Sequence, residues 1–273
     1  MSEPSPAIDA AVARRRAARA ARSYAGASRL EAEVAGRMLE RLDYVKLAPR
    51  RILDAGSGPA RDAGGLQRRY GAPVFALDFA LAVLPRRRWV DGIFGTRTLP
   101  VCGDMERLPF AAGSFELAWS NMALHWVRDP LAALRELERV LAPDGLLMFS
   151  TLGPDSLKEL RAAAGAARVH DFADMHDLGD MLVAAGFSAP VMDMEMLRIE
   201  YESGRRLLAD LRASGQTSAR RDRPRGLAER GLRERLERAL GGRMQSTYEV
   251  IYGHAWKRGA PEAKSIRIFK RLP

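Results

Sequence analysis

A glycine-bearing turn, Asp54-Ala55-Gly56-Ser57-Gly58-Pro59-Ala60, follows the apolar run Ile52-Leu53 and precedes a stretch of helical character that ends near Tyr70. A turn of this kind brings backbone N–H groups against a ligand where a buried strand passes into a helix, which demands residues without a side chain. It commits this part of the chain to strand–turn–helix units. Residues 73–78, 101–104, 114–120 and 146–150 read as further strands. Residues 81–90, with Arg86-Arg87-Arg88, read as a helix. So does the stretch opened by Pro130, where Leu131, Leu134, Leu137 and Leu141 repeat every three or four positions. Pro143-Asp144-Gly145 reads as a turn. Beyond Thr151 the spacing predicts helices over 156–167, 178–185 and 204–214 and strands over 191–201 and 247–256, with Gly186 as a helix stop. The first fifty residues read as two helices, 10–22 and 28–42, broken at Gly26. Strands alternating with helices predict an α/β fold, a parallel sheet with helices on both faces, preceded by a helical N-terminal arm.

Three successive strands of this pattern end in an acid: Asp54, Asp78 and Asp104. Open α/β sheets bind ligands at the carboxyl ends of their strands. A carboxylate at Asp54 repels a pyrophosphate but suits a ligand bearing an amino group. Asp78, twenty residues after Gly58, stands where an acid accepts hydrogen bonds from ribose hydroxyls. Asp104 is placed to accept from an adenine amino group. Each alone has an ordinary explanation as a turn or helix cap; together, at this spacing, they point to one binding edge. A dinucleotide fingerprint needs a third glycine at the sixth position from Gly56, and that position is Arg61.

This set resembles the class I S-adenosylmethionine-dependent methyltransferases. The resemblance covers about residues 50–152 and implies a Rossmann-like, mostly parallel seven-stranded sheet with S-adenosylmethionine as cofactor. It implies that Asp54, Gly56 and Gly58 hold the methionine part and Asp78 the ribose. Gly103-Asp104-Met105-Glu106-Arg107-Leu108-Pro109-Phe110 looks like the adenine segment, so Asp104 and Met105 belong to the site. Ser114-Phe115-Glu116-Leu117-Ala118-Trp119-Ser120-Asn121 resembles the fourth-strand motif, which adds Asn121. Ala60 stands where many members have glycine.

Four further stretches narrow the resemblance to the malonyl-acyl-carrier-protein O-methyltransferase family of biotin synthesis. They are Ser120-Asn121-Met122-Ala123-Leu124-His125-Trp126-Val127, Phe149-Ser150-Thr151-Leu152-Gly153-Pro154-Asp155-Ser156-Leu157-Lys158-Glu159-Leu160-Arg161, His170-Asp171-Phe172-Ala173-Asp174-Met175-His176-Asp177 and Thr247-Tyr248-Glu249-Val250-Ile251-Tyr252-Gly253-His254-Ala255-Trp256, and the likeness extends to Arg22-Ser23-Tyr24. The likeness implies methylation of the free carboxylate of a malonyl thioester, which masks it for elongation by fatty-acid enzymes. A carboxylate is already ionised at neutral pH, so no general base is expected. Arg161 is the candidate to hold the carboxylate, and Tyr24, on the arm, to close the site. The expected organisation is an arm or lid over 1–48 and a methyltransferase domain over 49–273. Within the latter, 50–152 is the cofactor core, 153–257 the substrate side and last strands, and 258–273 a tail. Another small-molecule methyltransferase, or an arginine hydroxylase of the same fold, shares the core motifs.

Charge separates the remaining readings. The chain carries a net +10, yet residues 51–150 hold 12 basic and 11 acidic residues, whereas residues 205–243 hold 12 arginines and 5 acids. That distribution fits a basic rim for an acidic acyl carrier protein, or for a coenzyme A thioester. A nucleic-acid-binding module needs stacking aromatics among its arginines, and 205–243 has no Phe, Tyr or Trp. No apolar run is long enough to span a bilayer. The N-terminal residues lack the apolar stretch of a secretory signal. The single cysteine, Cys102, excludes an intrachain disulfide and suggests the cytoplasm; on a short apolar strand it is expected to be buried and inert. His170, Asp171, Asp174, His176 and Asp177 are not spaced as a set of metal ligands, and Asp177 suits an N-cap. His125 and His254 read as structural histidines.

Overall fold

A computed structural model of the chain describes residues 8–85, 98–224 and 232–259. The arm comprises α1 (Ala10–Ala20), a single turn α2 (Tyr24–Ala27) and α3 (Arg29–Arg41). Then follow β1 (Ile52–Ala55), α4 (Ala63–Tyr70), β2 (Val74–Asp78), β3 (Thr98–Cys102), β4 (Phe115–Ser120), α5 (Pro130–Val140) and β5 (Leu141–Leu152). The remainder is α6 (Lys158–Ala164), α7 (Met175–Ala184), β6 (Phe187–Tyr201), α8 (Gly204–Ala213), α9 (Leu232–Leu240) and β7 (Met244–Lys257). Among the described residues no helix is long and apolar enough to cross a membrane.

The seven strands form one sheet in the order β3-β2-β1-β4-β5-β7-β6. β1 to β5 are parallel, and β7 enters antiparallel between β5 and β6. The order reverses between β1 and β4, which opens a crevice at the carboxyl ends of those strands. The glycine turn leaves β1 at that crevice. Helices cover both faces, as expected. On one, Val34 and Met38 of α3, Leu66 of α4, Leu160 of α6 and Leu207 of α8 pack on Ile52, Leu117 and Trp119. On the other, Leu134 and Leu137 of α5 and Leu178 and Leu182 of α7 pack on Leu53, Ala118 and Phe149. α3 is thus part of the core, whereas α1 rests on it through a small separate cluster of Ile8, Val12, Ala13 and Ala219.

The structure corrects several local expectations. β3 begins at Thr98 and runs through Pro100, which is tolerated because β3 is an edge strand with an unpaired side. The same edge position leaves Cys102 exposed, not buried. The turn at Pro143-Asp144-Gly145 is an irregularity inside β5, with Asp144 at φ +61°. The N-cap of α7 is Asp174, which accepts from the His176 N–H at 2.8 Å; Asp177 lies within the helix. Of the helix expected over 81–90, Leu81–Val83 form a turn, and Arg86-Arg87-Arg88 lie outside the described residues. α6 is shorter than expected because Gly165 caps it.

Gly253 of β7 pairs with Phe149 on one side and Met192 on the other. A Cβ there would stand 2.4 Å from the Phe149 ring and 2.9 Å from the Met192 sulfur. Gly253→Ala therefore overpacks the centre of the sheet, and its urea midpoint should correspond to a loss of about 1–3 kcal/mol.

Candidate active site

The crevice holds a cavity of about 120 Å³ walled by Gly56, Gly58, Asp78, Asp104, Met105 and Asn121. Gly56 has φ +77°, and a Cβ on it would lie 2.2 Å from the Ala123 Cβ and 3.3 Å from the Met105 Cε. Only glycine permits β1 and the end of β4 to approach so closely. Tyr24 lies over the turn from the arm side, its ring 3.8 Å from the point a Gly58 Cβ would occupy. Burial, and then the charge of Glu31, hold the phenol protonated far above its ordinary range.

Asp54 faces a small pocket beside this cavity, shared with Tyr24, Glu31, Arg61, Asp62 and Asn121. It is 2% exposed. Burial, then the charges of Asp62 and Asp78, push its carboxyl well above the usual range. Asp78 accepts from the Gly58 N–H at 3.0 Å and from the Ala80 N–H at 2.8 Å. Burial pushes it up to about 6, and those two N–H groups oppose the rise. Asp62, a residue the sequence reading did not single out, is raised mainly by burial. It accepts from Trp119 Nε1 at 2.9 Å and Asn121 Nδ2 at 3.0 Å, and both bonds oppose that rise. Asn121 is a brace: its amide also donates to the Glu31 carbonyl at 2.9 Å and accepts from Ser150 Oγ at 2.9 Å. Asp104 accepts from the Glu106 N–H at 3.0 Å, which closes the turn after β3.

These residues fit the cofactor implied by the sequence. Asp54 has no hydrogen-bond donor among the described residues and is too buried to be served well by water, so an ammonium suits it. The side-chain-free turn leaves room above β1, and Asp78 presents a carboxylate at the neighbouring strand end.

A second, larger cavity of about 520 Å³ adjoins the first, and both are lined by Met122, Ser214 and Gln216. Met122 is held at φ +53° by the Ser150 side chain and carbonyl, 3.0 and 3.1 Å from its N–H. Strain of this kind is often found at functional sites. Gln216 donates to Glu31 Oε1 at 2.8 Å. His125 lines the larger cavity, near Thr151 (Nδ1 to Oγ1, 3.2 Å); burial brings its pKa down to about 3, so the ring is neutral. Arg29, Arg168 and Arg212 reach the cavity wall and form no ion pair among the described residues; Arg206 sits 3.5 Å from Asp210.

Arg161 lines neither cavity. Its guanidinium donates to Asp171 Oδ1 at 3.1 Å and the His170 carbonyl at 2.8 Å, and Asp171 is shared with the buried Arg220. His170, also neutral with its pKa lowered to about 4 by burial, accepts from the Ala219 N–H at 3.0 Å. The structure thus gathers Tyr24, Gly56, Gly58, Asp78, Asp104, Met105 and Asn121 around one cavity, with Asp54 beside it and Arg161 apart.

A family model described as a methyltransferase domain matches residues 53–149. The malonyl-acyl-carrier-protein O-methyltransferase of Methylovorus sp. (strain MP688) is 47% identical over 94% of this chain and 91% of its own length. That of Gallionella capsiferriformans (strain ES-2) is 47% identical over 92% and 91%. Among solved structures, the YcgJ protein of Bacillus subtilis shares the fold, with a TM-score of 0.60 at 19% identity, covering 84% of this chain and 99% of that one.

The raised pKa of Asp78 has a measurable sign. Its folded value lies above the ordinary 3.8, so the native state is favoured at low pH and loses that advantage as pH rises to about 6. In cofactor-free protein, the thermal midpoint of Asp78→Asn relative to wild type should climb between pH 4 and 6 and stay level above. An unchanged difference across that range would contradict it.

Proposed function

The chain belongs to the malonyl-acyl-carrier-protein O-methyltransferase family, and on that premise we propose how its two joined cavities methylate the free carboxylate of a malonyl thioester. The observation that carries the reading is their meeting at Met122, Ser214 and Gln216, with the expected cofactor residues around the smaller cavity. S-adenosylmethionine, when bound, supplies a methyl group activated on a cationic sulfur. The chain's own residues supply the rest. Asp54 faces the amino-acid end of the cofactor, Asp78 the ribose, and Asp104 with Met105 the adenine. Tyr24 covers the turn; its phenol stays protonated, so it adds no competing anion.

The acceptor carboxylate is ionised at neutral pH and needs no base. What it needs is alignment and shielding from water. Transfer converts a carboxylate and a sulfonium into two neutral groups, so a poorly hydrated junction holds back the reactants more than the transition state. Met122 and the neutral His125 suit that role. At the wall, Arg29, Arg168 and Arg212 are available to a carboxylate. Arg161 acts on this reading through Asp171, holding in place the stretch that carries His170 and Phe172. The partner is an acidic acyl carrier protein, steered by the basic 205–243 region, of which Arg205 and Arg206 are exposed. A coenzyme A thioester is the smaller alternative substrate, and the cytoplasm the expected setting.

Incubation with S-adenosylmethionine should yield a methyl ester on malonyl-acyl carrier protein, detected by mass spectrometry, and none on the acetyl form. Arg168→Gln with Arg212→Gln should raise KM for the malonyl substrate about tenfold, equivalent to about 1.4 kcal/mol, with a smaller effect on cofactor Kd. Arg205→Glu with Arg206→Glu should lower kcat/KM for the carrier-protein substrate more than for malonyl-coenzyme A at low salt. The difference should shrink as salt is added; equal effects on both substrates would remove the docking role.

A further inference from the structure

Arg61 occupies the position at which a dinucleotide turn would carry its third glycine. Its guanidinium is engaged with backbone, not with an acid: Nη1 donates to the Ser28 carbonyl at 3.0 Å and Nη2 to the Ala25 carbonyl at 2.6 Å. Those carbonyls lie at the end of α2, the single turn that begins with Tyr24. Ser28 ends α2 and also begins α3, where its carbonyl accepts from the Ala32 N–H at 3.2 Å, so the planar guanidinium fork joins the end of α2 and the start of α3 at once. The same cation draws down the carboxyls of Glu31 and Asp62 and the phenol of Tyr24, each held up by burial.

The arm has other fastenings, and they lie elsewhere. The Asp9 N–H donates to the Ala219 carbonyl at 2.8 Å, Ser23 Oγ donates to the Ala213 carbonyl at 2.7 Å, and Arg16 donates to the Ser218 carbonyl. The bonds of Asp9 and Arg16 join α1 to the 213–220 segment, and that of Ser23, the N-cap of α2, pins only the start of α2 there. α3 is anchored in the core. Between the two, Arg61 is the side chain that joins α2 to the glycine turn itself.

We propose that Arg61 is a positioning residue that ties α2 to the glycine turn and so holds Tyr24 over Gly58. Its role in catalysis rests on the reading that the smaller cavity takes S-adenosylmethionine; the tie itself does not. With the tie cut, the far end of α2 loosens while α1, Ser23 and α3 keep their own contacts. The change is then confined to the segment that carries Tyr24. A lysine offers a single point charge and cannot bridge both carbonyls in the same plane.

Amide hydrogen exchange on the cofactor-free full-length protein tests the tie. In Arg61→Gln, exchange at Gly26 and Ser28, whose N–H groups donate to the Ser23 and Tyr24 carbonyls, should accelerate at least tenfold, with β1 and β4 unchanged. Arg61→Lys should behave like Arg61→Gln, and carries the test if the glutamine variant does not fold. Calorimetry with S-adenosylhomocysteine should show Kd weakened about tenfold in both. Unchanged exchange over 24–28, or full restoration of exchange and Kd by lysine, would overturn the proposal. Failure of wild type to bind S-adenosylhomocysteine would instead refute the cofactor reading, while the exchange result still decides the tie.

Discussion

Three carboxylates, Asp54, Asp62 and Asp78, are held close together around the glycine turn, Asp54 and Asp78 buried and Asp62 partly so, and much of the site is arranged to make that tolerable. Burying an unpaired carboxylate is costly, and placing others beside it adds repulsion. Asp62 is relieved by the indole of Trp119 and the amide of Asn121. Asp78 is relieved by the Gly58 N–H of the glycine turn and by the Ala80 N–H just after β2. Asp54 has no such donor and faces the small pocket instead. The network reaches outward from there: Asn121 holds the Glu31 carbonyl of α3, and Arg61 holds the end of α2. Asn121, which satisfies Asp62, thus also holds the arm, so one side chain serves the acids and the helix above them.

How much of this could be read beforehand follows from which interactions are local. Asp78 was visible because it closes an apolar run twenty residues after Gly58, and Asp104 because it follows Gly103 at the end of another. Membership of Gly56 and Gly58 in the site followed from turn chemistry. Gln216 was not visible, since its partner Glu31 lies 185 residues away. Asp62 had no signal beyond its closeness to the turn; its role depends on Trp119 reaching it across the sheet. Arg161 sits in the expected stretch, but which way a helical arginine faces is decided by tertiary partners, here Asp171 and the His170 carbonyl. The exposure of Cys102 and the survival of Pro100 within β3 both depend on strand order, which no local pattern contains.

The two cavities divide the chemistry by polarity. The smaller sets Asp78, Asp104 and Glu106 among apolar side chains, with Arg14 and Arg128 also on its wall. The larger has apolar walls interrupted by arginines, acids and two histidines kept neutral by burial. At their junction stand Met122, strained into the left-handed region, and Gln216, already engaged by Glu31. A reaction that extinguishes charge is served by such a border, because little there solvates separated ions.

The two chambers also have different covers. α1 and Tyr24 border the smaller one and not the larger, whereas Ala27, Arg29, Leu30 and Glu31 of the arm share the wall of the larger with α8 and the 168–172 and 199–202 stretches. One continuous stretch of chain, residues 24–31, thus touches both chambers, and their covers, though different, are one length of backbone.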